Sequence, residues 1–242
     1  MAVSTIAIMQ PYFLPYAGYF RLFSASELFV IYDCVQFPRR GWVHRNRFLD
    51  HSGNERWLTL PLDKAPQDVL IRDLRFASNA TELLSARLRP FSLAATDLES
   101  AAPILDALRD VSDYPVDYIV RLLERTVAYL GLRWSVIRSS SLRVPGSFRG
   151  QDRILEIARR LGARRYVNAP GGRGLYDAEA FAKSGIELSF LAEYTGSTAS
   201  VLTRIVREQR ADLVRELACP QVEVAQPRAH SMGATADLQI VD

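Results

Sequence analysis

Cysteine, histidine and long apolar runs are scarce in this sequence of 242 residues. The two cysteines, Cys34 and Cys219, are too few for a disulfide framework and too isolated for a metal cluster. The three histidines show none of the spacings that zinc ligands take along a chain. No apolar run approaches the roughly 20 residues that span a bilayer, and no basic leader precedes an apolar stretch at the amino terminus. We therefore expect a cytoplasmic protein with no transmembrane segment and no bound metal.

The sequence also lacks a large excess of either positive or negative charge. Thirty basic residues against 27 acidic ones leave a net charge of +3, and blocks of like charge are short. That balance argues against nucleic acid as the main partner and favours a small-molecule ligand. With 48% hydrophobic and 24% charged residues the chain can close a core, which excludes a disordered or collagen-like protein.

Apolar periodicity predicts alternating strands and helices. The runs at 4–9 and 28–32 are short, apolar and partly β-branched, which is typical of buried strands. Strands are also predicted over 56–60, 69–76, 133–138, 165–168 and 186–191, and helices after Pro15 and over 80–91, 101–110, 117–130, 151–161, 177–184 and 198–217, with Gly131, Gly162 and Gly185 as stop signals.

This order predicts an α/β fold with a mostly parallel, helix-covered sheet that is Rossmann-like in its amino-terminal half. We expect one domain over residues 1–219, with the helices of about 78–131 forming a cap or insertion. Residues 220–242 lose periodicity and are expected to form an irregular tail.

The densest polar and aromatic segment follows the first predicted strand, over residues 10–19. Ligands of open α/β sheets bind at the carboxyl edge of the strands, where a helix amino terminus offers free N–H groups to an anion. The binding candidates here are Gln10, Tyr12, Tyr16, Gly18 and Tyr19, with Gly18 allowing close approach of a phosphate. The alternative is that the tyrosines are packing aromatics and the prolines shape a turn.

A second polar segment, 33–47, follows the second predicted strand and opens on the same edge. Arginines stand close together here without an acid after Asp33, so a phosphate or carboxylate counter-ion is expected. Its binding candidates are Arg40, Trp42, Arg45, Asn46 and Arg47. If 43–49 is extended, the arginines and His44 lie on opposite faces, so only one set can face a ligand. A solvated basic hairpin is the alternative.

Catalytic candidates come from the same segment. Asp33 and His44 are acid–base candidates, and Gln36 lies between them. A structural ion pair with an arginine is the alternative for Asp33. Cys34 is weaker as a nucleophile, because a cysteine at a strand end is usually a small apolar side chain.

The third polar segment, 166–176, lies between a predicted strand and a helix. Its glycines permit conformations that could cradle a phosphate, although the spacing matches neither a Walker loop nor a dinucleotide fingerprint. The candidates here are Asn168, Gly171, Gly172 and Tyr176, and a plain flexible turn is the alternative.

Together these segments resemble the WbqC-like protein family. The similarity rests on Met9 to Tyr16 with Gly18-Tyr19-Phe20, on Phe29 to Asp33, Val35-Gln36-Phe37, Arg40-Gly41-Trp42 and Arg45-Asn46-Arg47, and on Tyr166-Val167-Asn168, Pro170-Gly171-Gly172 and Leu175-Tyr176. The family occurs in bacterial O-antigen and other surface-polysaccharide clusters. The resemblance implies a transferase that N-acylates a nucleotide- or lipid-linked amino sugar with glycine or another amino acid. A non-catalytic nucleotide-sugar binder or assembly protein is the alternative.

A fainter similarity is to pantothenate synthetase and its nucleotidyltransferase relatives. There a His-x-Gly-His signature grips the ATP phosphates after the first strand, and Tyr16 and Tyr19 stand at the two histidine positions here, with Gly18 retained. The likeness implies ATP as a candidate cofactor, with arginines stabilising the leaving phosphate. The expected small molecules are a nucleotide sugar and an amino acid, and aminoacyl-tRNA is retained as a candidate donor.

Overall fold

The computed structural model describes residues 3–91, 93, 98–112 and 114–226. Over these residues the chain forms a six-stranded sheet, a separate two-stranded hairpin and eight α-helices. The fold is mixed α/β with a mostly parallel, Rossmann-like sheet, which confirms the predicted fold class.

The strands are β1 (Thr5–Met9), β2 (Leu28–Ile31), β3 (Arg45–Leu49), β4 (Glu55–Thr59), β5 (Val136–Arg138), β6 (Arg165–Asn168), β7 (Glu187–Leu191) and β8 (Val222–Val224). The large sheet has the order β5-β2-β1-β6-β7-β8, in which only β8 is antiparallel to its neighbour. Strands β3 and β4 form the antiparallel hairpin.

The helices are α1 (Ala17–Ala25), α2 (Ala80–Leu88), α3 (Leu98–Arg109), α4 (Pro115–Tyr129), α5 (Gly150–Arg160), α6 (Ala178–Lys183), α7 (Val201–Arg207) and α8 (Arg210–Leu217). The predicted stop signals are confirmed, because Gly131, Gly162 and Gly185 all have positive φ just after a helix. Helices α2–α4 fall in the range predicted for a cap or insertion, and the limits of the domain stay a prediction.

The large sheet is covered on both faces. Ala7 of β1 joins an apolar cluster with α1, α4 and the β3–β4 hairpin, whereas Ile6 and Ile8 join a second cluster with α5 and α6. This alternation is the period of two that a strand imposes on its side chains. Burial on both faces explains why the strands read as continuous apolar runs.

Three predicted elements need correction. Residues 69–76 form a 3₁₀ turn at Ile71–Asp73 instead of a strand, because Ile71 and Leu74 are buried three positions apart. The helix predicted over 198–217 is broken into α7 and α8, and Glu208 between them is extended. Within the predicted tail, Val222–Val224 pairs with β7 as strand β8, and residues 227–242 lie outside the described residues.

Candidate functional site

A large cleft opens where the strand order reverses. The chain leaves β1 toward β2 on one side, and β6 flanks β1 on the other. Loops that follow β1 and β6 therefore diverge at the carboxyl edge, and this switch point is where open α/β sheets bind ligands. The cleft has a volume of about 660 Å³, within the usual range for small-molecule sites.

The cleft brings together residues from all three predicted segments. The predicted binding residues that line it are Gln10, Tyr12, Tyr16, Tyr19, Trp42, Asn168, Gly171, Gly172 and Tyr176. Its wall is mainly aromatic, and its polar groups are few. That composition is typical of a pocket that recognises a neutral or weakly charged organic ligand.

The loop between β1 and α1 is held in a strained shape. Leu14 is buried and has φ of 44°, in the left-handed region that non-glycine residues rarely adopt. Asn46 Nδ2 donates to the carbonyls of Leu14 at 2.6 Å and Phe13 at 3.2 Å. Ser200 Oγ also donates to the Leu14 carbonyl, at 2.7 Å. The predicted ligand contact Asn46 is thus a residue that positions Tyr12 and Tyr16 through their loop.

Gly18 lies under two aromatic rings. A Cβ there would overlap Tyr16 Cε2 and would lie 2.7 Å from Tyr194 Cγ, closer than side chains approach one another. The rings of Tyr16 and Tyr194 themselves pack with centroids 5.4 Å apart. Glycine at this position is therefore explained by ring packing over the start of α1, which covers the backbone that we expected a phosphate to approach.

Hydrogen bonds to charged side chains hold Tyr194 in place. Its hydroxyl hydrogen-bonds the carboxylate of Glu216 and accepts from Arg204 Nη1 at 2.9 Å. Arg204 also donates to Glu208 at 2.9 Å and to Glu216 at 2.8 Å. Burial, and then the nearby Glu216, raise the pKa of the Tyr194 hydroxyl, so it stays neutral. This network fixes the ring that faces Tyr16.

Tyr19 and Asn168 form polar parts of the cleft floor. The Tyr19 hydroxyl donates to the carbonyl of Gln10 at 2.8 Å, and full burial raises its pKa well above the ordinary value. Asn168 is only 5% exposed, and its Oδ1 accepts from the amide of Ala169 at 2.8 Å. A Cβ at Gly172 would overlap Asn168 Nδ2, which has no acceptor among the described residues. Gly172 thus leaves an amide donor available to a ligand.

The three predicted catalytic residues lie outside the cleft lining. Asp33 is fully buried and accepts from Ser139 Oγ at 3.0 Å, Ser140 N at 2.9 Å and Ser140 Oγ at 2.7 Å. Gln36 Nε2 donates to the carbonyl of Gln67 at 2.9 Å. These contacts tie distant loops together, so both side chains are occupied in holding the fold.

His44 packs against Phe37 with ring centroids 4.9 Å apart, and its Nδ1 has no partner in the described part of the chain. Burial, and then the charge of Arg45, lower the pKa of His44 to about 4. The ring is therefore neutral at pH 7. It does not line the cleft.

Arg45 and Arg47 lie on strand β3, and Arg40 lies in the turn that precedes it. Arg45 donates to the Arg40 carbonyl at 2.8 Å, and its Cζ lies 4.4 Å from the centroid of Trp57. Arg47 lines a second cavity of about 350 Å³ beside the cleft. Arg40 and Arg45 line neither the cleft nor this second cavity. The extended segment does present two faces as expected, with Asn46 and Phe48 buried and the arginines outward.

Residues after β7, which lie outside the three predicted polar segments, complete the cleft. Glu193, Tyr194 and Thr198 all line it. Glu193 supplies the one carboxylate among the lining residues, and it stands two positions past the end of β7. The available signal is positional, because the loop after each further parallel strand opens on the same edge of the sheet.

Among the described residues no group of histidine, cysteine, aspartate or glutamate side chains could hold a metal ion. Within those same residues, every helix is too short or too polar to cross a bilayer.

Comparison with known proteins agrees with the resemblance that the motifs carry. The model of the WbqC-like protein family matches residues 10–197, a range that includes the cleft residues from Gln10 to Tyr194. The uncharacterized protein Rv1507c of Mycobacterium tuberculosis is 25% identical over 197 residues, which cover 79% of this chain and 83% of that protein. No solved structure matches the chain significantly. Because the family match spans well over half of the sequence, the chain belongs to the WbqC-like protein family.

Proposed function

We propose that the protein is a transferase that N-acylates an amino sugar, with glycine or another amino acid as the acyl group. Membership of the WbqC-like family supports a role in polysaccharide-related biosynthesis. The observation that carries the proposal is a cleft at the switch point, walled by aromatic rings and bearing a single carboxylate, Glu193.

A sugar suits this wall. The apolar C–H faces of a pyranose pack on aromatic rings, which Tyr12, Tyr16 and Tyr176 supply, while its hydroxyls need hydrogen-bonding partners. The side-chain amides of Gln10 and Asn168 offer such partners, since Gln10 has no side-chain hydrogen bond to the described residues. Few polar groups on an apolar wall would orient the sugar.

Glu193 is the group placed to serve the amine. Its carboxylate would accept a proton from the amino group of the sugar as the nitrogen attacks the acyl carbon. The C–N bond forms, the bond from the acyl carbon to its carrier oxygen or sulfur breaks, and the proton passes to the departing carrier. The donor is therefore an activated ester or thioester of the amino acid. Asp33 and His44 have no place in this step, because neither lines the cleft.

The residues at the start of α1 do not fit the triphosphate of ATP. The Tyr19 hydroxyl is bonded to the Gln10 carbonyl, and the rings of Tyr16 and Tyr194 cover Gly18. Of the arginines that would have to replace the missing histidine charges, Arg40 and Arg45 do not line the cleft. No step of the proposed reaction uses ATP.

A non-catalytic nucleotide-sugar binder is the second candidate function. One observation favours it. Burial raises the pKa of Tyr12, Tyr16 and Tyr176, so Glu193 is left as the single proton acceptor on the lining and is itself exposed. A binder needs the aromatic wall but not the carboxylate.

Mass spectrometry of the acceptor separates these functions. The purified protein is incubated with a nucleotide-linked amino sugar and, in separate reactions, glycyl-tRNA, a glycyl thioester, or glycine with ATP. The proposal predicts an amino sugar heavier by one glycyl group with a preactivated donor, and a large loss of product in Glu193→Gln with unchanged affinity for the sugar. Binding of the sugar without product from any donor would favour the binder.

A further inference from the structure

A second chamber adjoins the cleft and shares a wall with it. It has a volume of about 350 Å³, and Tyr12, Tyr16, Trp42 and Thr198 line both spaces. Asn46 and Arg47 line the second chamber but not the cleft. One extended ligand could therefore occupy both, with its ends in different chemical surroundings.

Arg47 gives the second chamber a cation. Its Nη1 donates to Glu55 at 2.8 Å, while Nε and Nη2 have no hydrogen-bond partner among the described residues. The two side chains are 46% and 50% exposed, and such exposed ion pairs are weak and readily exchanged. The planar guanidinium is the side chain best suited to bind a phosphate through two parallel hydrogen bonds.

Trp42 gives the same chamber an aromatic face. The indole is 40% exposed, and its centroid lies 5.5 Å from that of Trp57. The Arg47 guanidinium lies 5.9 Å from the Trp42 ring centroid, so charge and ring are adjacent. Stacking of a planar base on an exposed indole is favourable and tolerant of base identity.

We propose that the second chamber is a nucleoside-phosphate subsite, in which Arg47 binds phosphate and Trp42 stacks on the base. This inference rests on the proposed function and specifies its acceptor, because it makes the amino sugar nucleotide-linked with the sugar lying in the larger cleft. A lipid-linked sugar shares the diphosphate but has no base for the indole.

Matched variants on the hairpin test the subsite by calorimetric titration with UDP, dTDP and ADP. Arg45 lies on the same face of β3 as Arg47 but lines neither cavity, so it is the matched control. Arg47→Ala should weaken binding of UDP by about tenfold or more, which is the loss of one charge-assisted hydrogen bond. Arg45→Ala should leave it within about twofold.

Two further ligands distinguish a nucleotide from other molecules that carry a diphosphate group. Inorganic pyrophosphate and farnesyl diphosphate should bind at least about tenfold more weakly than UDP, because neither offers a base to Trp42. Equal affinity of UDP and farnesyl diphosphate, equal losses in Arg47→Ala and Arg45→Ala, or no binding of any nucleotide would overturn the subsite. These are binding measurements, so they stand whether or not glycyl transfer is observed. Glycyl transfer without nucleotide binding that depends on Arg47 would refute the subsite but leave the proposed function standing.

Discussion

Replacement of Asn46 by aspartate tests how the loop between β1 and α1 is held. The change keeps the size of the side chain but replaces the Nδ2 donor with an oxygen that faces the carbonyls of Leu14 and Phe13. Asn46 is 5% exposed, so a carboxylate there would be buried with one oxygen against two carbonyl acceptors, and the Arg47 amide would be its remaining donor. We expect Asn46→Asp to lower the free energy of unfolding by about 3–5 kcal/mol, the cost of an uncompensated buried charge.

Alanine at the same position should cost less. It removes three hydrogen bonds, two donated by Nδ2 and one accepted by Oδ1 from the Arg47 amide, but it adds no charge, and the Leu14 carbonyl keeps the Ser200 hydroxyl at 2.7 Å. About 2–3 kcal/mol is expected for Asn46→Ala, and about 1 kcal/mol for Ser200→Ala. The loss of stability should therefore be largest for Asn46→Asp, smaller for Asn46→Ala and smallest for Ser200→Ala.

Urea unfolding at several pH values is the assay. The aspartate at position 46 should have a raised pKa in the folded state, because burial and the two carbonyls favour its protonated, donating form. A raised pKa means that folding favours the protonated acid, so the deficit of Asn46→Asp relative to wild type should shrink as pH falls from about 8 to about 5. A deficit below about 1 kcal/mol that does not change with pH would refute the role assigned to Asn46.

Three further outcomes are expected. Glu193→Gln should reduce glycyl transfer by at least about a hundredfold with little change in sugar affinity, measured by steady-state kinetics and titration, whereas equal activity would remove Glu193 as the base. Gly18→Ala should destabilise the fold by about 1–3 kcal/mol in urea despite the better helix propensity of alanine, because the rings over Gly18 must move. Since the pKa of His44 is lowered to about 4, its contribution to stability is present above pH 6.5 and is lost as pH falls toward 4. A His44→Gln variant should show a flatter loss of stability over that range in thermal unfolding, and an unchanged profile would contradict the assignment.

Local pattern was enough to predict the elements around the cleft. The run of Thr5–Met9, the two prolines after it and the helical spacing from Tyr16 all depend on neighbours in sequence, so strand, loop and helix could be read without tertiary information. The parallel order then placed residues 10–19 and 166–176 at one edge, and the cleft lies there.

Roles that depend on distant contacts could not be read in this way. Asp33 is bound by Ser139 and Ser140, more than 100 positions along the chain, so its burial has no local signal. Likewise the face of β3 that turns inward depends on carbonyls 32 and 33 residues away, and it is Asn46, not the arginines, that lies on that face. Glu193 and Tyr194 follow β7 in an ordinary polar loop, and only the assembled sheet brings them beside Tyr16.

A crystal structure with a UDP-linked amino sugar would test the central claim most directly. The account predicts the sugar in the cleft between β1 and β6, against Tyr16 and Tyr176, with its amino group within hydrogen-bonding distance of Glu193. It also predicts the phosphate beside Arg47. Density for the ligand beside Arg40 and Arg45, with the cleft empty, would contradict it.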